Sequence, residues 1–339
     1  MSAELAPLTT LRLGGPARRL VAVDTEEELV AAVRAADTAD EPLLVLSGGS
    51  NVVIADAGFA GTVVHVRTRG VRREDGALRV QAGEPWDALV ARTVDAGLQG
   101  FECLSGIPGS TGATPVQNVG AYGQEVAETV TSVRVLDRAT GSVETLPAAA
   151  CGFAYRRSIF KHDPRRIVLE VAFALRERDE SGSLRYAELA RTLGLPVGAA
   201  APLRDVREAV LALRRGKGMV IDPDDPDSVS AGSFFTNPIL THADFEALAA
   251  RAAAPPPAFP EPDGRVKTSA AWLIERAGFG RGFGVGPVGI SSKHTLALVN
   301  RGGARTADLV ALARQIAGGV ERRFGVELVP EPVFVGHEW

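Results

Sequence analysis

Two stretches of this 339-residue chain have a backbone suited to meeting a ligand at close range. In Leu104-Ser-Gly-Ile-Pro-Gly-Ser-Thr-Gly-Ala-Thr-Pro-Val-Gln-Asn-Val-Gly-Ala-Tyr-Gly123, glycine recurs at 106, 109, 112, 120 and 123, with proline at 108 and 115. Gly and Pro both break regular backbone, so the run is neither an ordinary helix nor a long strand. A backbone of this kind can lie flush against a ligand and aim bare N–H groups at an anion. Ser110, Thr111, Gln117, Asn118 and Tyr122 add hydrogen-bonding groups. A plain surface loop is the alternative, but loops this long in compact chains are mostly functional or disordered. The second stretch is Ser47-Gly-Gly-Ser-Asn51, delivered by the apolar Leu43-Leu-Val-Leu46. A strand running into two glycines, a Ser and an Asn is a phosphate-cradle pattern, and a tight turn between strands fits the same residues equally well.

Other chemistries find less support. The five histidines are scattered without metal-ligand spacing, and neither a His-Glu-x-x-His nor a Gly-x-Ser-x-Gly run occurs. Gly284-Val-Gly-Pro-Val-Gly289 matches a dinucleotide-binding pattern but contains Pro287 and leads into a strand, whereas the pattern has meaning only after a strand and opening a helix. Cys103 and Cys151 are the only cysteines, which suits a reduced compartment and excludes Cys-based zinc sites. Lysine occurs only at 161, 217, 267 and 293; each is worth examining, though rarity by itself does not make a residue functional.

The elements that must position these stretches alternate between helix and strand. Thr25 with Glu28 three residues on predicts a capped helix, followed by strands at 43–46, 62–66 and 78–82. Glu84 to Val94 reads as a helix closed by Gly97 and Gly100. Ser132–Leu136 and Ser142–Leu146, joined by Asp137-Arg-Ala-Thr-Gly141, predict a hairpin, and Ile167–Phe173 a further strand. Leu184–Leu189 reads as part of a polar connector and Val206–Arg215 as an amphipathic helix. The acidic, Pro-broken Asp222-Pro-Asp-Asp-Pro-Asp227 reads as a linker before a new domain. Helices from Ala243, over 268–277 and over 306–324, strands at 295–299 and 326–335, and no internal repeat complete the chain. The interleaving indicates a mixed α/β pattern in the first half.

Length suits two or three domains. Net charge is −4, which gives no electrostatic footprint for nucleic acid or an anionic membrane. Residues 1–20 lack an apolar signal region and no run reaches membrane-spanning length, so a cytoplasmic protein is expected.

Five motifs occur in an order that resembles the UDP-N-acetylenolpyruvoylglucosamine reductase family: Ser47–Asn51, the Gly106–Gly123 loop, Tyr155-Arg-Arg-Ser158, Ala231-Gly-Ser-Phe-Phe-Thr-Asn-Pro238 and Pro330-Glu-Pro332. The resemblance covers nearly the whole chain. It implies an α+β fold of the FAD-binding, vanillyl-alcohol-oxidase (PCMH) type. In that fold residues 1–70 with 326–339 form one FAD-binding subdomain, 71–218 a second, and 219–325 a substrate-binding domain. It also implies noncovalent FAD, NADPH as co-substrate, no metal, and reduction of UDP-N-acetylglucosamine enolpyruvate to UDP-N-acetylmuramate for peptidoglycan by a monomer. Carried over by motif, Gly48, Gly49, Ser50 and Asn51 would line the FAD pyrophosphate. Pro108, Gly109, Ser110, Gly112, Asn118 and Gly123 would hold the rest of the cofactor. Arg156, Ser233 and Glu331 match the catalytic positions, and Tyr186, Lys217 and Asn237 match contacts to the UDP diphosphate. Leu184-Arg-Tyr-Ala-Glu-Leu189 resembles the subclass whose extra loop brings a Tyr over the substrate. Two departures are Thr9, where Asn is common, and Arg157, where Asp is frequent.

The residue chemistry suits that reaction. Hydride delivery to an enolpyruvyl carbon leaves negative charge on its neighbour, which needs a fixed cation and a proton donor. Arg156 can clamp the carboxylate bidentately, Ser233 can supply the proton, and Glu331 can polarise the developing enolate or hold a water. Two rivals remain at the level of sequence: another flavin-dependent oxidase or dehydrogenase of the same fold, and a catalytically silent UDP-sugar-binding protein. The first often tethers its flavin through a His in the pyrophosphate loop, which Ser47–Asn51 lacks.

Overall fold

The structure, a computed structural model, describes residues 3–339. They fall into two compact units, each assembled from non-contiguous chain. One comprises residue 3 with 16–49 and 59–216; the other comprises 4–15, 50–58 and 217–339.

The first unit starts with a parallel sheet in which Phe59–Val66 lies between Pro16–Val23 and Leu43–Leu46. Strand Pro16–Val23 includes Arg18 and Arg19 because pairing, starting from Ala17 opposite Phe59, holds them extended where their own propensity would not. Helix Glu26–Thr38 makes the crossover. Thr25 Oγ1 accepts the Glu28 N–H at 3.2 Å, the Glu28 carboxylate accepts the Thr25 N–H at 3.3 Å, and three glutamates occupy the positive first turn. Leu29, Val33 and Ala36 recur at helical spacing and are buried. The first two pack with Val23, Val64 and Val66. A five-stranded antiparallel sheet follows, in the order Ser142–Pro147, Val130–Asp137, Arg166–Phe173, Ala77–Gln81, Val71–Glu74. The expected hairpin is present, with Asp137 opposite Ser142. Helices Trp86–Asp95, Ala187–Thr192 and Leu203–Gly216 complete the unit. Its largest core is built on Trp86, Phe101 and Phe173, with ring centroids 4.8 Å (Trp86–Phe101) and 4.9 Å (Phe101–Phe173) apart. Residues 184–189, read from sequence as connector, are partly helical because Leu184 and Leu189 bury against Val206 and Val210.

The second unit pairs Val52–Ile54 with Val333–Val335 in parallel register. An antiparallel sheet runs Ser230–Ser233, Ala297–Asn300, Val288–Ile290, beside a small one of Ile239–Leu240, Val266–Lys267 and Phe259–Pro260. Helices His242–Arg251, Ala270–Arg276 and Thr306–Phe324 cover them. Leu309, Ala313, Ile316, Val320 and Phe324 form the buried stripe of the long helix, which stops at Gly325 with φ 71°. The expected strand over 326–335 shrinks to its last three residues, because Pro330 and Pro332 have no N–H to give a ladder. The acidic run at 222–227 is pinned. Asp227 accepts the Ser292 N–H at 3.0 Å and its hydroxyl at 2.5 Å, and Lys293 pairs with Asp225 at 2.9 Å. Among the described residues no helix is long and apolar enough to cross a membrane.

Candidate functional site

Strand Leu43–Leu46 sends the chain into Ser47-Gly48-Gly49, where the Ser47 hydroxyl donates to the Val66 carbonyl at 2.9 Å. The second glycine-rich segment meets the first here. A Cβ placed on Gly48 would stand 2.5 Å from the Cα of Gly109 and 3.3 Å from the Ser110 nitrogen. The two backbones touch, and only glycine at 48 permits it. Gly112 repeats the device against Ala82, whose Cβ would lie 2.5 Å from an added methyl. Gly48 of the first predicted cradle and Gly109 and Ser110 of the second are thus brought into contact within the first unit.

Residues 82–87 hold this loop in place. The Gly112 N–H donates to Ala82 O at 2.8 Å, Thr111 N–H to Glu84 O at 2.9 Å, and Trp86 N–H to Gly109 O at 3.1 Å. Asp87, in the first turn of its helix, accepts the Gly106 N–H at 2.6 Å and a bidentate pair from Arg207 at 2.6 and 3.0 Å. Partial burial alone would raise the Asp87 carboxyl; the bonds from Arg207 and Gly106 outweigh it and hold the group below the ordinary carboxylate range. Ser110 is 4 % exposed, and its hydroxyl has no hydrogen-bond partner among the described residues. Buried polar atoms are normally satisfied, so the chemistry of an orphaned hydroxyl in a glycine cradle fits a ligand's polar atom.

Asn118 is fully enclosed with φ 47°. Its amide donates to Glu125 at 2.7 Å and to Ala154 O at 3.1 Å, and its oxygen accepts the Ala127 N–H at 3.1 Å. The side chain is therefore committed to shaping the loop. Ala154 and Arg157 exchange backbone bonds of 3.0 and 3.1 Å, which leaves Tyr155 and Arg156 at the tip of a tight turn. Arg156 adopts φ 52°, and its guanidinium donates to Gly120 O at 2.7 Å. Asn118 and Tyr122 in the glycine-rich loop, and Arg156 in the turn bonded to it through Gly120, are non-glycine residues at positive φ, the kind of local strain that collects at functional sites. Gly123 closes the loop against Arg185, and the Tyr122 ring meets Tyr186 edge-on with centroids 5.4 Å apart. Tyr186 is 44 % exposed.

In the second unit, Ser50 and Asn51 open the segment that leads to Val52–Ile54. Asn51 O accepts the Val333 N–H at 2.9 Å, and its amide donates to Glu331 O at 3.3 Å. The Glu331 N–H in turn donates to Phe234 O at 2.8 Å. Asn51, Glu331 and the Phe234–Phe235 peptide are thus joined by hydrogen bonds. Ser233 ends its strand after Gly232 at φ 72°, and its hydroxyl makes no hydrogen bond with the described residues. Asn237 accepts the Ala270 N–H at 3.0 Å at the start of a helix. Lys217 opens this unit's last segment, and Gly218 behind it lies against Asp227, where an added Cβ would be 2.8 Å from the Asp227 Cβ. The candidate residues therefore form two sets, each organised inside its own unit.

Sequence reasoning did not single out Asp87, Arg207 or Arg214. Arg214, the buried member of Arg214-Arg-Gly-Lys217, lies near Tyr122 and Asp87; burial draws its guanidinium below the ordinary range against their opposing pull. Asp87 and Arg207 are ordinary helix-surface types 120 residues apart, and only the fold brings them together. Both cysteines are buried, which pushes the Cys103 thiol up to about 12 and the Cys151 thiol to about 11, so neither is a nucleophile at neutral pH. A cavity of about 500 Å³ in the first unit, lined by Thr25, Glu26, Arg69 and Arg134 among others, touches none of the candidate residues.

Comparison with known proteins places this geometry. Residues 17–147 match the FAD binding domain, and residues 224–335 match the C-terminal domain of UDP-N-acetylenolpyruvoylglucosamine reductase. The reductase of that name from Streptomyces coelicolor is 58% identical across 98% of this chain and 89% of its own length. That from Thermobifida fusca is 58% identical across 98% and 96%. The crystal structure of UDP-N-acetylenolpyruvylglucosamine reductase from Thermus caldophilus superposes with a TM-score of 0.68 at 28% identity, covering 99% of this chain and 98% of that one. The α+β architecture is therefore the FAD-binding fold of these reductases, and the chain belongs to the UDP-N-acetylenolpyruvoylglucosamine reductase family.

Proposed function

We propose that the chain is an NADPH-dependent flavoenzyme that reduces the enolpyruvyl group of UDP-N-acetylglucosamine enolpyruvate to UDP-N-acetylmuramate in peptidoglycan synthesis. The observation that carries this reading is the Gly48–Gly109 contact with the orphaned, buried Ser110 hydroxyl beside it. A cradle of closely approached backbone with one unspent donor fits a dinucleotide phosphate. Gly48, Gly49, Ser50 and Asn51 would line the FAD pyrophosphate; Pro108, Gly109, Ser110, Gly112 and Gly123 would hold the remainder, with Asn118 shaping the loop. The cofactor is held noncovalently: Ser47–Asn51 contains no His, and the two thiols are protonated.

FAD held there would supply the hydride chemistry that links NADPH to the terminal enolpyruvyl carbon. The residues of the chain handle charge and the proton. Arg156 holds the substrate carboxylate bidentately and stabilises the negative charge that develops next to it. Its held backbone and its bond to Gly120 O limit how far the guanidinium can stray. Ser233 gives its hydroxyl proton to the carbon bearing that charge and recovers one from solvent, so the double bond gains one hydride and one proton and NADPH leaves as NADP⁺. Glu331 polarises the developing enolate or holds the water that reprotonates the serine. Tyr186, Lys217 and Asn237 bind the UDP diphosphate. The same reading carries the division into domains at 1–70 with 326–339, 71–218 and 219–325, and a cytoplasmic monomer without metal, nucleic-acid or membrane partners. Anaerobic titration tests it. The purified protein should show visible flavin absorbance that NADPH bleaches and the enolpyruvyl substrate restores. A colourless protein, or flavin that NADPH reduces and this substrate leaves reduced, overturns it.

A further inference from the structure

We infer that Trp339 is a positioning residue for Ser233, acting through the Phe234–Phe235 pair; this rests on the reading of Ser233 as proton donor. The Ser233 hydroxyl has no hydrogen bond within the described residues, so its aim is set by the backbone that carries it. On its N-terminal side that backbone is soft. Gly232 adopts φ 72° with nothing within 4 Å of an added Cβ, and the strand register slips between Ser230 and Ser233. The anchor lies on the C-terminal side. Phe234 N–H donates to Leu296 O at 2.7 Å, Phe234 O accepts from Glu331, and both phenylalanine rings are 1 % exposed.

Trp339 closes this anchor. Its ring lies 6.3 Å from Phe234, 5.9 Å from Phe235 and 5.7 Å from Phe334, while Phe234 and Phe235 are 5.2 Å apart. The segment bearing it is itself held: His337 Nε2 donates to Val53 O at 3.0 Å, and Arg314 donates to Glu338 O at 3.1 Å. Trp339 is 37 % exposed, so one face of the indole meets solvent while the other shields the two rings and restrains their rotamers; truncating it uncovers the pair and frees them to move. A rotation of Phe234 is passed on through one peptide bond to Ser233. Displacing a reacting group by about 1 Å can cost about 100-fold in rate.

The test uses the holoenzyme and four variants: Trp339→Ala, Trp339→Phe, Ser233→Ala and the Trp339→Ala/Ser233→Ala double. Anaerobic rapid mixing follows flavin reduction by NADPH and reoxidation by the enolpyruvyl substrate separately. Trp339→Ala should slow reoxidation by up to about 100-fold and leave reduction within about twofold. Trp339→Phe should recover most of the rate. The double variant should be no slower than Ser233→Ala, because position is irrelevant once the hydroxyl is gone. Amide exchange in residues 231–236, measured without substrate, should rise in Trp339→Ala while that of Thr306–Phe324 stays unchanged. Equal loss of both half-reactions, an additive double variant, or unchanged exchange at 231–236 overturns the inference and leaves the role of Ser233 standing. If Ser233→Ala itself reoxidises at the normal rate, the proton-donor reading fails and takes the inference with it.

Discussion

Gly48 and Gly109 are in backbone contact: a Cβ on the first would lie 2.5 Å from the Cα of the second. Neither neighbour can yield, because the obstructing atom is main chain. Gly48→Ala should therefore push the two cradle segments apart, at a cost typical of overpacking, about 1–3 kcal/mol. The expected protein is folded but colourless after purification, with a lowered melting temperature. Full flavin content in Gly48→Ala would show that the contact does not shape the cofactor site.

Ser110→Ala should separate cofactor binding from stability. An unsatisfied buried hydroxyl costs the apoprotein about 1–3 kcal/mol, so its removal should leave apoprotein stability unchanged or raised. FAD affinity should fall by about 2–10-fold, the worth of one neutral hydrogen bond. Calorimetry of the apoprotein and fluorescence titration with FAD read the two effects independently. Unchanged affinity would mean that the hydroxyl faces no cofactor atom.

Acid should loosen the loop through Asp87. Its carboxyl is held below the ordinary range by Arg207 and the Gly106 N–H, against the effect of burial. A depressed folded-state value means that the stabilisation is complete above the unfolded value, about 3.9, and is lost as pH falls through the lower folded one. Melting curves of the native chain and of Asp87→Asn should differ most above about pH 5 and converge toward pH 3. A constant gap across that range would assign the effect to something other than this ionisation.

Lys217→Ala should raise the KM for the enolpyruvyl substrate and largely preserve kcat, as expected when a point charge on a diphosphate is lost equally from ground and transition states. FAD content should be unaffected. Steady-state kinetics with saturating NADPH decide it; a collapse of kcat at constant KM would put the lysine in the chemistry.

Local signals proved legible where the chain itself enforces them. Thr25 and Glu28 cap the helix they announce, the 137–141 turn closes its hairpin, and the Leu309 stripe buries as its spacing requires. Both glycine-rich runs were visible for the same reason, since glycine clusters are costly in regular structure. Their mutual contact was hidden, because nothing in Ser47–Asn51 says which distant backbone it will touch. Asp87 and Arg207 escaped notice on the same grounds. The tail misled through propensity: Val326 to Val335 is rich in strand formers, yet prolines at 330 and 332 leave only Val333–Val335 able to pair.

The parallel pairing of Val52–Ile54 with Val333–Val335 sets a timetable for biogenesis. A ribosome adding about 5–20 residues per second needs roughly 14–56 s to traverse the intervening 280 residues. Throughout that interval Asn51 has no partner in Glu331 or Val333, and the downstream half of the Ser47–Asn51 motif stays unanchored. The first unit, whose segments end at Gly216, has all its chain available much sooner. Anchoring of Ser50 and Asn51 therefore waits for residues 331–335, and a nascent chain arrested before residue 333 leaves Val52–Ile54 without its parallel partner.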